Sequence, residues 1–326
     1  MFTEFTNHFR AMGTDMNVIV VADPRGPRVA DSLSQVEEMF RSAESQFSRF
    51  LPDSELSLMN AQGGSESPSE AMWDVLQRAR QWWKQTGGVF DPTILPALES
   101  AGYDRSFEHV RFNARPRQRI RVITSEWGYQ NVTLAESGSH RQVILEDGVR
   151  IDLGGIVKGW AVDRAGELLI DSFDGFLIDA GGDILARGHS DSEEGWWIAV
   201  ENPFDSTANR GCVLLKDSAL ATSGTYRRRW IDAEGRRRHH IIDPRTGLPS
   251  VSEALSVTTC GPTVEACEVI AKSIIVDEET QLDWVEKHSD ITASVVHADG
   301  SEYTSAGWEM LPIYPVDDAL YLEVSV

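Results

Sequence analysis

The stretch Ile151–Leu169, IDLGGIVKGWAVDRAGELL, decides how the chain is read. It opens as a short apolar strand ending in Asp152, then passes through Gly154 and Gly155 to Lys158 and Gly159. Apolar residues at 161, 162, 165, 168 and 169 recur at helical spacing, which predicts a helix from near Ile156. A strand that runs through glycines into a helix presents bare backbone N–H groups and the positive end of the helix dipole. Lys158 adds a full charge, so the pattern suits an anion, and Asp152 can accept a hydrogen bond from a ring N–H or hydroxyl of the same ligand. A tight connection with glycines chosen only for close packing explains the pattern equally well. The stretch is neither a phosphate loop ending in Gly-Lys-Ser/Thr nor a GxGxxG fingerprint.

Toward the N-terminus, Met12-Gly13-Thr14-Asp15 leads into an apolar strand, Met16 to Val21. Asp31 or Ser32 is expected to cap a helix whose stripe is Leu33, Val36, Phe40, Ala43 and Phe47. An irregular segment from Ser48 to Asn60 and a Gly/Ser-rich link, 62 to 69, precede a second helix facing inward with Val75, Leu76, Ala79 and Trp83. In the turn Gly87–Thr93, Phe90 is a candidate stacking ring and Asp91 an acceptor, while Pro92 stiffens the loop. A buried Phe and a turn Asp is the plainer reading.

Between these parts and the C-terminus the pattern is mostly strands. The arginines of 111 to 121 belong to a solvated face. Strands are expected around Val132, at 143–145, 176–179, 183–186, 196–200 and 212–215, with Gly181-Gly182 bringing the backbone close to a neighbour. Residues 226 to 240 read as a hairpin turning at 233–235, with arginines at 227, 228, 229, 236, 237 and 238. Its positive field suits a phosphate-bearing ligand or an acidic partner loop, although alternation sends about half of the side chains to either face. His240, near Asp243, is a candidate general base; a lone histidine is more often structural. Ser256–Thr259 is a strand, and Thr263 caps a helix in which Glu268 and Lys272 stand one turn apart. From Leu282 onward a helix and two or more strands complete a sheet. Strands and helices mixed without a βαβ rhythm predict an α+β fold.

Charge and cysteine usage limit the function. With 326 residues and a formal charge of -21, the chain lacks the basic face that nucleic acid or an anionic membrane needs. Three cysteines, at 212, 260 and 267, are too few for a disulfide framework and suit a reducing compartment. The start MFTEFTNHFRAMGTD has no signal-peptide pattern, and no stretch is apolar enough to span a bilayer. The expectation is a cytoplasmic protein without membrane insertion.

Several motifs, taken in order, resemble one family. They are Ala11–Thr14, Ser54–Ser57 with Asn60, Gly88–Thr93, Asp152–Gly159, Ala180–Asp183, Ala221–Gly224, and His240–Pro244 with Thr246-Gly247. This ordered set is similar to that of the ApbE family, the FAD:protein FMN transferases. The resemblance implies one ApbE-like domain over 1–326, as a single unit or as two closely packed lobes with a cleft between them. It implies cleavage of FAD at its diphosphate, with FMN passed to a Thr or Ser hydroxyl of a target flavoprotein and AMP released. FAD pyrophosphatase activity, giving FMN and AMP, or FAD binding without catalysis are the alternatives. By motif, Met12, Phe90, Asp91, Asp152 and Lys158 would lie along FAD, with Val89 giving backbone contacts and Ile241 beside a ring. His240 would be the catalytic base. Magnesium would be held by the Gly155 carbonyl and by residues at 268 and 272. The family usually has Asp and Thr there, and this chain has Glu268 and Lys272. An ammonium cannot donate a lone pair to magnesium, so the ion is weakened or replaced by Lys272. Thr225 likewise stands where the family commonly has Asp.

Overall fold

A computed structural model describes residues 3–24, 29–107, 128–190, 195–231, 235–288, 290–309 and 313–314. Its centre is an eight-stranded sheet, antiparallel throughout, in which spatial order follows chain order. We number its strands β1 (Thr3–Ala11), β2 (Thr14–Ala22), β3 (Gly175–Ala180), β4 (Asp183–Arg187), β5 (Ser218–Gly224), β6 (Ala254–Gly261), β7 (Thr292–His297) and β8 (Glu302–Thr304). Side chains alternate across this sheet with a period of two. Val18, Val20, Phe176, Ile178, Leu185 and Ala221 enter a core beneath helices. Their neighbours Ile19, Val21, Leu177, Ile184 and Leu220 enter a second core, with Trp196 and Val213 of a smaller three-stranded sheet. The sheet is therefore buried on both faces, and the mixed α+β expectation holds.

The helices are α1 (Val29–Phe47), α2 (Glu55–Gln62), α3 (Glu70–Gln85), α4 (Leu95–Ser100), α5 (Val157–Leu169), α6 (Val264–Val276) and α7 (Glu278–Lys287). The five-residue stripe expected on α1 is buried. Helix α5 lies between α1 and α6 and packs on β3 and β4. It can do so because Gly159 is bare: a Cβ there would lie 2.7 Å from the Glu265 Cα. Thr263 caps α6 as expected, its Oγ1 accepting from the Ala266 N–H at 3.3 Å. Asp163 of α5 adds two further acceptors, at 2.9 Å from the Val264 N–H and 3.0 Å from the Glu265 N–H.

Some local expectations change. Helix α1 already runs at Val29, so Asp31 sits in its first turn instead of capping it, where a carboxylate still suits the dipole. The segment expected to be irregular contains α2, capped by the Ser54 Oγ and closed by left-handed Gly63. Only Leu56 and Met59 of α2 are buried, so it carries no stripe for periodicity to find. Conversely, Ile151–Leu153 joins no sheet. Asn60 grips both backbone groups of Ile151, at 2.8 and 2.7 Å, and the Asp152 N–H donates to the Pro92 carbonyl at 2.8 Å. The arginine hairpin forms, pairing Arg229–Ile231 with Arg237–His239; residues 233 and 234 of the turn expected at 233–235, and the arginines of 111–121, lie outside the described residues.

Candidate functional site

One end of the main sheet gathers the turns that the sequence singled out. Between β1 and β2 the chain reverses through Met12 and Gly13, both with positive φ (51° and 73°), as a two-residue hairpin turn of matching twist requires. Beside it, β3 turns into β4 through Gly181 and Gly182, and Gly181 sits so close to Thr14 that a Cβ would collide with its hydroxyl. The first turn of α5 arrives at the same end. Lys158 forms a buried ion pair with Asp183 and donates to the Ala180 carbonyl at 3.2 Å. Burial pushes the Asp183 carboxyl up, against the pull of the Lys158 charge.

The anion that sits on the start of α5 comes from the chain itself. Glu268 of α6 accepts from the Gly159 N–H at 2.8 Å with one oxygen and from the Lys272 ammonium at 2.9 Å with the other. Burial pushes Glu268 up, but the Lys272 and Lys158 charges outweigh it and hold the carboxyl below its ordinary value. Neither Gly154 nor Gly155 has a positive φ. Gly155 is bare because of its neighbours: a Cβ would lie 3.2 Å from the Phe90 ring and 3.6 Å from the Lys272 stem. Phe90, the glycine turn and Lys272 thus meet at one point.

The other candidates are held by partners of their own. Asp152 has both oxygens engaged, one by the Gly154 N–H at 3.0 Å and the other by Arg49 at 2.6 Å. Arg49 lies over the Phe50 and Tyr103 rings, 4.2 and 4.7 Å from their centroids, and the sequence reading gave it no role. Its only local signal is an arginine next to an aromatic residue after an amphipathic helix. Asp91 serves its own loop, accepting from the Thr93 N–H and hydroxyl at 2.8 and 2.6 Å, and burial raises its pKa. Val89 precedes Phe90 in the same turn and is buried. The Ile241 side chain packs with Ala266, Ile270 and Ile274 in the core around α6.

His240 ends the arginine hairpin. The residue is half-buried, yet its Nδ1 is shielded from solvent and has no hydrogen-bond partner. Burial lowers its pKa well below the ordinary value, and the charges of Arg228, Lys272 and His239 lower it further, against a backbone hydrogen bond with Arg228. The ring is therefore neutral at neutral pH and able to take a proton. Asp243 does not assist it; that carboxylate binds Arg245. The His240 ring meets the Tyr103 ring edge-on, with centroids 6.5 Å apart, and Tyr103 lies beneath the Arg49 guanidinium that holds Asp152.

A family model described as the ApbE family matches residues 12–295, which span the Met12 turn, the glycine turn, His240 and α6. The chain belongs to the ApbE family. It is 27% identical to a FAD:protein FMN transferase of Treponema pallidum, covering 84% of this chain and 78% of that one. It is 28% identical to one of Vibrio cholerae, covering 91% and 90%. The ApbE protein from Thermotoga maritima superposes with a TM-score of 0.83 at 25% identity, over 94% of this chain and 99% of that one. The flavin transferase ApbE from Vibrio cholerae superposes at 0.80 and 24%, over 96% and 100%.

The resemblance would put a metal ion at Gly155, Glu268 and Lys272, and the side chains there can be tested against that expectation. Glu268 has one oxygen on a backbone N–H and the other on an ammonium, and Lys272 carries no lone pair while protonated. A divalent ion needs several oxygen ligands, so these residues do not fit one. Among the described residues, no cluster of three or more His, Cys, Asp or Glu is arranged for a metal. A depression of about 400 Å³ lined by Glu55, Met59 and Ser69 shares no residue with this site. Among the described residues no helix is long and apolar enough to cross a membrane.

Proposed function

We propose that this chain transfers the FMN moiety of FAD to a Thr or Ser hydroxyl of a target protein and releases AMP. The observation that carries the reading is the single family match spanning both the glycine turn and His240. The curated relatives reported above are named FAD:protein FMN transferase. FAD is the donor substrate, and the flavin lies toward Phe90 and Met12, with its diphosphate at the turn of Gly154, Gly155 and Lys158.

The chemistry needs a nucleophile, a neutralised diphosphate and in-line geometry. His240 draws the proton from the acceptor hydroxyl as its oxygen attacks the FMN phosphorus. A new P–O bond forms to the acceptor, the bond to the bridging oxygen breaks, and AMP departs with the charge. The neutral, unpartnered Nδ1 of His240 supports this role. Lys158 and Lys272 counter charge on the diphosphate, and Arg49 fixes Asp152 and the turn that follows it. The Glu268–Lys272 donor set does not fit magnesium.

The test is His240→Ala. Mass spectrometry of a candidate flavoprotein co-expressed with this chain should show the FMN adduct, and the variant should lower the transfer rate by about 10²–10⁴ while retaining FAD affinity. Transfer at the wild-type rate would remove His240 from the reaction. Release of free FMN and AMP without an adduct would assign the chain to FAD hydrolysis.

A further inference from the structure

We propose that the Lys272 ammonium, fixed by Glu268, stands in place of the divalent cation, and that the chain binds the diphosphate of its flavin substrate without a metal ion. This rests on the flavin-transfer reading above for the identity of the ligand.

Four observations lead here. Glu268 is buried, with its side chain 1% exposed, whereas Lys272 is 21% exposed, so a sequestered carboxylate holds an ammonium that the site can still reach. An ammonium has three donors and Glu268 takes one in the structure, which leaves donors for phosphate oxygens. The Lys272 stem runs against Gly155, in the turn where the reading above puts the diphosphate, and Lys158 stands in the first turn of α5, which follows that turn. Finally, each Glu268 oxygen already accepts a hydrogen bond, one from the Gly159 N–H and the other from the Lys272 ammonium, which stands where an ion would approach. A divalent cation would have to displace the Lys272 ammonium from Glu268 and then sit close to two lysines, Lys272 and Lys158, whose charges are already matched by Glu268 and Asp183. The pairing also fixes the charge of the site. Glu268 with a divalent ion would be net positive, whereas Glu268 with Lys272 is neutral, so attraction for the diphosphate depends on directed hydrogen bonds more than on net charge.

The experiment titrates the full chain with FAD, following quenching of flavin fluorescence in excess chelator and in magnesium, and separately adds manganese to the FAD-saturated chain while recording the free-ion electron paramagnetic resonance signal. The two FAD affinities should agree within about twofold, and the free manganese signal should match a protein-free control containing the same FAD. Lys272→Thr supplies an oxygen ligand and frees one Glu268 oxygen. In that variant one manganese per chain should disappear from the free signal, and FAD affinity should fall at least tenfold in chelator and recover with magnesium. Lys272→Met should lose FAD affinity at least tenfold with no recovery in magnesium. Uptake of one manganese by the wild-type chain, or a tenfold loss of its FAD affinity on chelation, overturns the proposal. So does Lys272→Met with wild-type affinity. The wild-type measurements decide the matter even if a variant fails to fold. If FAD binds independently of metal but no acceptor ever gains FMN, the transfer reading fails and this one stands.

Discussion

His240 is surrounded by groups that oppose its protonation, and the sign of that effect fixes a pH dependence. A base works only while neutral, and burial, with the Arg228 and Lys272 charges, holds its folded pKa well below 6.5. The profile of kcat/KM should therefore stay level through pH 6.5 and fall only at a distinctly lower value. An acid limb centred at or above 6.5 would mean that the imidazole is not shielded as described. The same shift affects stability with the sign of a depressed pKa. The unfolded chain takes the proton first, so stability present above 6.5 is lost as the pH falls toward the folded pKa. Gly159 gives a second prediction. Its missing Cβ lets α5 approach the backbone of α6, and its N–H holds Glu268. Gly159→Ala should lower unfolding free energy by about 1–3 kcal/mol in urea denaturation, because the obstructing atoms are backbone and cannot swing aside. Of these contacts, Glu268 with Lys272 was legible in the sequence, since one helical turn separates them in any helix. The Asp152–Arg49 pair was not, because it joins the end of one helix to a distant turn and no local rule connects them.

At the level of elements, legibility followed the strength of the period. The α1 stripe and the apolar runs of β2 and β3 are long enough to be read directly. Helix α2 buries only two side chains and is defined by its caps, Ser54 and Gly63, so it looked like a loop. Ile151–Leu153 has strand composition, yet Asn60 and Pro92 take the backbone groups a sheet would need. The joint between α5 and α6 was also invisible, because it depends on Asp163 accepting from the first amides of a helix far along the chain. Burial pushes this carboxyl up to about 6, above its ordinary 3.8. Its titration therefore favours the fold fully below 3.8, and that contribution is lost as the pH rises through about 6. Asp163→Ala should cost about 1–3 kcal/mol near pH 5, from two lost capping bonds. Asp163→Asn keeps one acceptor and cannot ionise, so the step in stability between 3.8 and about 6 should vanish from its denaturation midpoints. A step that persists in Asp163→Asn would belong to a different carboxyl.

Across the whole molecule, 51 acidic residues face 30 lysines and arginines, and this imbalance sets a response to salt. Self-repulsion at a formal charge of -21 disfavours the compact state, because folding brings the charges together. Screening acts on separated surface charges, with a Debye length of about 30 Å at 0.01 M salt and about 3 Å at 1 M. The pairs at the site respond less: Glu268 and Asp183 are buried and their partners lie in direct contact. Exposed pairs such as Arg10–Asp15 do weaken with salt, but each contributes at most about 1 kcal/mol. Net repulsion should therefore dominate, and the thermal midpoint should rise as potassium chloride is raised from about 0.01 M to about 1 M. A midpoint that stays level or falls over that range would show that attractive pairs, taken together, outweigh the excess of acid. The sign of the slope decides between them because the same ions screen both effects, and the two respond in opposite directions.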